Sequence, residues 1–321
     1  MYVFIRQNPA IYRNLHISNK VGGEINMSYS SSLGTTGFGI DMAKVYLSSN
    51  NLGDRDRFMS TLFLEHRFKL AKDKLDITPG VAVTYFSDFK FHAFPGIDLG
   101  YQINDELKVY ANAGYTFRIP TYTDLYYSDL TTIGNENLDP EEALTEEIGI
   151  KYNKGNFSTS FAVFNRDSDN LIDYTKENAT DKWEATNIQD LNAFGFEVNA
   201  SYTYKMKGFN QNLTFGYTYL DEDLEDLEDL FSRYSINSLK HHITATYRSQ
   251  FIKNLRQSII YKFAERTTGD SYNVVDVMAT LDLKSFEISV IGNNIFNTEY
   301  TETNLVPMPK GNVLIGAKYK F

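Results

Sequence analysis

The chain has no cysteine, so disulfides, zinc–thiolate centres and thiol nucleophiles are excluded. It also has no apolar run approaching the roughly 20 residues that a membrane-spanning helix needs, which excludes a helical membrane protein. Its first residues, Met1-Tyr2-Val3-Phe4-Ile5-Arg6, offer neither a basic segment nor a long apolar one and are not read as a signal peptide. Basic residues are in the minority, 31 Lys and Arg against 41 Asp and Glu, for a net charge of -10. That balance argues against a nucleic-acid partner, which relies on Lys and Arg to neutralise phosphates.

Histidine is sparse at five residues. His16, His66 and His92 fall on separate stretches, and the adjacent His241 and His242 would point to opposite faces of a strand. No metal or cofactor is expected from them. Glu65-His66 and Asp88 with His92 are the pairs nearest to an acid–base constellation, but neither sits in a catalytic motif, so no enzyme activity is expected.

What the chain has in abundance is aromatic surface. Tyr and Phe number 23 each, yet mean hydropathy is -0.37, the value of a polar chain. A transmembrane β-barrel needs both at once: lipid-facing side chains alternate with polar lumen-facing ones, and aromatic girdles mark the two interfaces.

Period-two alternation recurs through most of the sequence. Leu107, Val109, Ala111, Ala113, Tyr115 and Phe117 alternate with Lys108, Tyr110, Asn112, Gly114, Thr116 and Arg118. Phe196, Val198, Ala200, Tyr202 and Tyr204 do the same against Glu197, Asn199, Ser201, Thr203 and Lys205. The pattern predicts about fifteen antiparallel strands, near 14–30, 35–48, 58–71, 74–87, 91–102, 106–118, 143–153, 156–174, 185–205, 211–221, 238–249, 254–265, 271–283, 285–293 and 311–321. Connections alternate between tight turns, such as Ala71-Lys72-Asp73-Lys74 and Asn153-Lys154-Gly155-Asn156, and long segments at 119–142, 175–184, 222–237 and 294–310. Outer-membrane barrels alternate short periplasmic turns with long extracellular loops in this way. On that orientation an odd strand count starts outside the cell, whereas a complete barrel of this type starts in the periplasm, so upstream chain is expected.

The last strand presents Val313, Ile315, Ala317, Tyr319 and Phe321 on one face. Alternation ending on an aromatic carboxy-terminal residue resembles the signal read by the outer-membrane barrel assembly machinery, with Tyr319 and Phe321 as its carriers.

Two segments carry a family resemblance. Gly292-Asn293-Asn294-Ile295-Phe296-Asn297-Thr298-Glu299-Tyr300 resembles the N-L-F-D-x-x-Y stretch before the final loop of TonB-dependent receptors, with Ile and Asn in place of Leu and Asp. Phe117-Arg118-Ile119-Pro120 through Asp124-Leu125-Tyr126-Tyr127, then Gly134-Asn135-Glu136-Asn137-Leu138-Asp139-Pro140-Glu141, is similar to the F-R-x-P-x-x-x-D-L-Y … G-N-P-x-L-x-P-E loop of cobalamin and siderophore receptors. Pro120 and Pro140 would close the flanking strands by withholding ladder donors, and a folding scaffold is the preferred role of this loop. The resemblance implies an all-β transmembrane barrel, of which residues 1–321 would be the C-terminal portion of about 22 strands, without the plug domain that couples to TonB. Asp-Leu-Tyr-Tyr at 124–127 and Phe164-Asn165-Arg166 … Asn170-Leu171-Ile172-Asp173-Tyr174 resemble cobalamin-receptor-like proteins of Bacteroidota.

The implied function is active outer-membrane uptake of a scarce large nutrient, cobalamin or a metal–siderophore complex, with TonB as energy-coupling partner and outer-membrane lipid around the wall. Asp124, Tyr126, Tyr127, Tyr174 and the sole tryptophan, Trp183, are the ligand-contact candidates at the extracellular mouth. The acidic run around Asp221, Asp223 and Asp226 is dense enough in oxygen ligands to consider calcium, but it lacks glycine-punctuated spacing and reads better as a solvated loop. A passive porin-like channel and an adhesin-type barrel are the competing classes; both predict no plug and no TonB box upstream.

Overall fold

The computed structural model describes residues 14–188, 190–224, 231–233, 239–267, 269–302 and 306–320. In chain order the elements are β1 (His16–Ser31), β2 (Gly34–Ser49), β3 (Arg55–Leu70), β4 (Leu75–Phe86), β5 (Lys90–Gln102), β6 (Leu107–Arg118), α1 (Tyr122–Tyr126), β7 (Thr132–Ile133), β8 (Glu141–Lys154) and β9 (Phe157–Asp169). They continue with β10 (Leu171–Lys176), β11 (Trp183–Ile188), β12 (Leu191–Met206), β13 (Phe209–Leu224), β14 (Phe231–Ser232), β15 (Leu239–Ile252), β16 (Leu255–Arg266), β17 (Ser271–Asp282), β18 (Phe286–Asn293) and β19 (Asn312–Tyr319). Fifteen of these strands form one antiparallel meander with β1 and β19 at its edges, and β14, β10, β11 and β7 form a small second sheet.

The register assigns the two faces of the large sheet. Ile25, Ile40, Leu62, Val83 and Ala93 are successive cross-strand partners on one face. One position along, Glu24, Asp41, Thr61, Thr84 and His92 are successive partners on the other. A one-residue slip would exchange the faces throughout, so the apolar stripe pins the register. The apolar face is left uncovered: Ile25 and Leu62 are each 59% exposed and Ile315 is 77% exposed. A wall that is apolar outside and polar inside suits lipid on one side and an aqueous lumen on the other. Strands of 12–16 residues in most of the sheet exceed the roughly 9–11 needed to cross the hydrocarbon core, so their ends project beyond it.

Every predicted strand is found, but two were read as too long. The expected strand 156–174 is broken at Asn170, whose φ of 55° places it in the left-handed region and turns the chain out of the large sheet into β10. The expected strand 185–205 is likewise divided into β11 and β12. The expected loop 175–184 is therefore the tip of a β10–β11 hairpin standing above the rim. Conversely, the loop expected from residue 222 starts later, because β13 continues to Leu224.

Candidate functional site

The long connections all leave from one end of the sheet, and there the 119–140 loop and the β10–β11 hairpin fold into a compact cap. Arg118 ends β6 and Glu141 begins β8, and the two stand directly opposite each other. Their side chains close the base of the intervening loop: the Arg118 guanidinium grips both carboxylate oxygens of Glu141 and its Nη1 lies 3.7 Å from Asp124 Oδ2. Glu141 Oε1 also accepts the Ile172 N–H at 2.7 Å, which fastens the hairpin to the same pair.

Beyond Arg118, the buried Pro120 ends the ladder and Thr121 caps α1. Asp124 Oδ2 accepts the Thr121 N–H at 2.9 Å and the Thr121 hydroxyl at 2.7 Å, while Thr121 Oγ1 accepts the Asp124 N–H at 3.2 Å. This reciprocal arrangement is a capping box, which satisfies otherwise orphaned helix donors. The other Asp124 oxygen accepts the Tyr174 hydroxyl at 3.3 Å, linking α1 to β10. Gly134 then passes against the α1 backbone; a Cβ there would lie 2.8 Å from Asp124 O, Leu125 C and Tyr126 N.

The loop is also tied to its neighbours. The buried Arg57 donates to Asp88 Oδ2 at 2.7 Å and to Pro120 O at 3.2 Å. Arg55 stacks 3.7 Å from the Tyr126 ring centroid, and Asn51 Nδ2 donates to Ser128 O at 2.7 Å. Tyr127 donates its hydroxyl to Asp129 Oδ2 at 2.9 Å, and Asp129 Oδ1 accepts the Thr131 and Thr132 N–H groups, both at 2.7 Å. Burial alone would raise the Asp129 carboxyl, but these backbone and hydroxyl donors outweigh it and hold the group below the usual carboxylate range. Burial, followed by the hydrogen bond to Asp129, pushes the Tyr127 phenol up.

Under this cap lies a cavity of about 880 Å³. Leu171, Ile172 and Leu191 supply its apolar surface, and Asp124, Tyr127 and Tyr174 line it alongside Arg118 and Glu141. Asp173, only 1% exposed, accepts a hydrogen bond from the Ser232 hydroxyl. Glu222 enters from the lumen face of β13, and Arg233 sits 5.9 Å from the ring centroids of both Tyr174 and Trp183.

Residues 5–295 match the family model described as TonB dependent receptor-like, beta-barrel. The chain belongs to the TonB-dependent receptor β-barrel family. Among curated relatives, Vitamin B12 transporter BtuB of Photobacterium profundum is 28% identical over 229 residues, covering 69% of this chain and 36% of that protein. Its counterpart in Vibrio cholerae is 26% identical over 239 residues, with 70% and 36% covered. Among solved structures, the siderophore receptor PirA from Pseudomonas aeruginosa superposes with a TM-score of 0.74 at 17% identity, over 95% of this chain and 55% of that one. The copper transporter OprC gives 0.77 at 13% identity, over 96% and 57%. The chain thus spans about a third of the length of these curated relatives and just over half of the solved receptors. As a member of this family the barrel is an outer-membrane protein, and family members are receptors and transporters rather than enzymes.

Of the five expected ligand-contact residues in this receptor barrel, Asp124, Tyr127 and Tyr174 are brought together on the cavity wall. Tyr126 and Trp183 stand behind it, packed against the cluster of Leu125, Leu138, Ile172, Tyr174 and Ala185. Asp221 lies on β13, within the expected strand 211–221, and Asp223 lies on β13 rather than in the expected loop, while Asp226 lies outside the described residues; among the described residues no group of three or more His, Asp or Glu is placed to hold a metal ion. Tyr319 packs its ring 5.0 Å from Phe286 on the outer face, and Phe321 lies outside the described residues. The pairs that came nearest to catalytic constellations are separated: Asp88 serves Arg57, His92 contacts Phe89 O at 2.7 Å, and His66 contacts the Thr36 hydroxyl. Arg118, Glu141 and Asp173 fall within the motifs that carry the resemblance, but neither they nor Glu222 and Arg233 are among the ligand-contact candidates read from sequence. Arg118 and Glu141 had a legible signal, as opposite charges at the two strand ends that bracket one loop, the arrangement that favours a cross-strand pair.

Proposed function

We propose that this chain is wall and mouth of a receptor that takes up a scarce, large nutrient across the outer membrane with energy from TonB, cobalamin or a metal–siderophore complex being the cargo. The observation that carries the reading is the cavity of about 880 Å³ at the long-loop end, roofed by tethered loops and opening on the polar face of the sheet. Its volume lies in the range of about 300–1,000 Å³ common for ligand clefts, and it mixes an apolar surface with convergent charged groups. A ligand larger than the cavity would seat one edge there. The BtuB relatives favour cobalamin. Asp124, Tyr127 and Tyr174 are proposed to shape the seat, with Tyr126 and Trp183 holding it from behind. The carboxy-terminal strand, through Tyr319 and Phe321, is proposed to present the wall to the barrel assembly machinery.

The test is uptake by cells expressing the full-length receptor, with and without TonB, offered cyanocobalamin or ferric siderophores. Saturable binding of cyanocobalamin with TonB-dependent accumulation supports the whole reading. Accumulation that persists unchanged without TonB and does not saturate overturns it in favour of a passive channel.

A further inference from the structure

The cavity has a pronounced chemical bias. Five carboxylates line it, from Asp124, Asp129, Glu141, Asp173 and Glu222, against the guanidinium groups of Arg118 and Arg233. Its main donors, the Arg118 guanidinium and the phenols of Tyr127 and Tyr174, are already engaged. Arg118 is committed to Glu141 and Asp124 and the Tyr127 hydroxyl to Asp129; the Arg233 guanidinium lies over the rings of Tyr174 and Trp183, and its backbone N–H donates to Tyr174 O at 3.1 Å. Its acceptors are not all engaged. Glu222 is half-buried on the lumen face, with the short Ala193 opposite it, and among the described residues its carboxylate makes no hydrogen bond or ion pair.

An ionised carboxylate only accepts hydrogen bonds, so a ligand entering this cavity has to bring donors. A polyanionic ligand would instead bring like charge against a carboxylate-rich wall, which opposes association. We propose that the cavity selects a ligand whose rim presents N–H donors, carboxamide or ammonium, over a polyanionic metal chelate, with Glu222 as the specificity-determining acceptor. This rests on the receptor reading and narrows its cargo class.

The experiment measures binding of two probes, cyanocobalamin, rimmed with carboxamides, and the polyanionic ferric enterobactin, to outer membranes carrying the full-length receptor, alongside the TonB-dependence of uptake. Wild type is expected to prefer cyanocobalamin. Glu222→Lys is expected to weaken it at least about tenfold, about 1.4 kcal/mol, while improving binding of ferric enterobactin. Glu222→Gln keeps the shape and an acceptor and is expected to lose about half of that effect on a logarithmic scale, because charge-assisted hydrogen bonds are roughly twice as strong as neutral ones. Preference of wild type for ferric enterobactin with TonB-dependent uptake intact overturns the charge assignment and leaves the receptor reading standing. Cyanocobalamin binding that Glu222→Lys weakens, but uptake that ignores TonB, upholds the assignment and overturns the energised-transport reading. Binding of cyanocobalamin unaffected by both variants overturns Glu222 as the determinant.

Discussion

Replacing Arg118 with Ala should open the cap without unravelling the sheet. The substitution deletes both charge-assisted hydrogen bonds to Glu141 and the 3.7 Å ion pair to Asp124. It leaves carboxylates only 13% and 11% exposed facing each other across the space it vacates. Hydrogen bonds to charged groups contribute about 1.5–3 kcal/mol each. The Arg118 side chain is 47% exposed, and solvent screening at such a site brings the total toward the lower end. A cost of about 2–3 kcal/mol for the closed loop follows, which is roughly a 30- to 150-fold rise in the opened population. Native-state hydrogen exchange in outer-membrane preparations reads this directly at the Ile172 amide, which bonds to Glu141, and at the Leu125 amide, which closes the first turn of α1 on Thr121 O. Amides in mid-sheet, such as those of β16, should keep wild-type protection. Arg118→Lys retains the charge but not the planar fork that engages two oxygens together, and should recover less than half of the lost protection. Protection of Ile172 and Leu125 within threefold of wild type in Arg118→Ala would refute the idea that this ion cluster holds the cap closed.

Three other perturbations follow from the same geometry. Gly134→Ala pushes a methyl group to within 2.8 Å of three backbone atoms of α1; the cost should be about 1–3 kcal/mol by overpacking, seen as faster proteolysis of the 119–140 loop with unchanged barrel melting. Because the folded pKa of Asp129 is lowered, its contribution is present above the ordinary carboxylate value and is lost as pH falls through the lowered one. Because that of Tyr127 is raised above 10.0, its contribution is present below 10 and is lost as pH rises through the raised value. Loop protection should therefore fall off at both acid and alkaline extremes, and Asp129→Asn should abolish the acid limb; an acid limb that survives the substitution assigns it elsewhere. Tyr319→Ala removes the ring packed on Phe286 and one carrier of the proposed assembly signal, so the yield of folded, heat-modifiable barrel in the outer membrane should drop several-fold, while Lys318→Ala, on the lumen face, leaves it unchanged.

Strand number, order and facing were legible because one physical rule governs them. Successive side chains of a strand point to opposite faces, so the run from Leu107 to Arg118 announces its own two faces without reference to any neighbour, and tight turns such as Lys154-Gly155 leave an antiparallel partner as the only nearby option. The expected strand end at Asp221 falls three residues short for a related reason: Asp and Glu disfavour strands in isolation, but pairing of Glu222 and Asp223 with Ala193 and Asn192 extends β13 past the apolar stretch.

The sequence by itself determined the wall: its fifteen strands, its apolar and polar faces, and the end from which the long loops leave, all of which follow from local periodicity. Only the tertiary structure decided the site. Asp124 and Tyr174 are 50 residues apart, Glu141 and the Ile172 amide 31, and Asp173 and Ser232 59. No local pattern announces such meetings, because they depend on how the Asn170 turn swings a hairpin over the rim and on how closely Gly134 lets the loop approach α1. The register of the sheet brings Arg118 opposite Glu141, and that pair sets where the cap, and with it the cavity, is held.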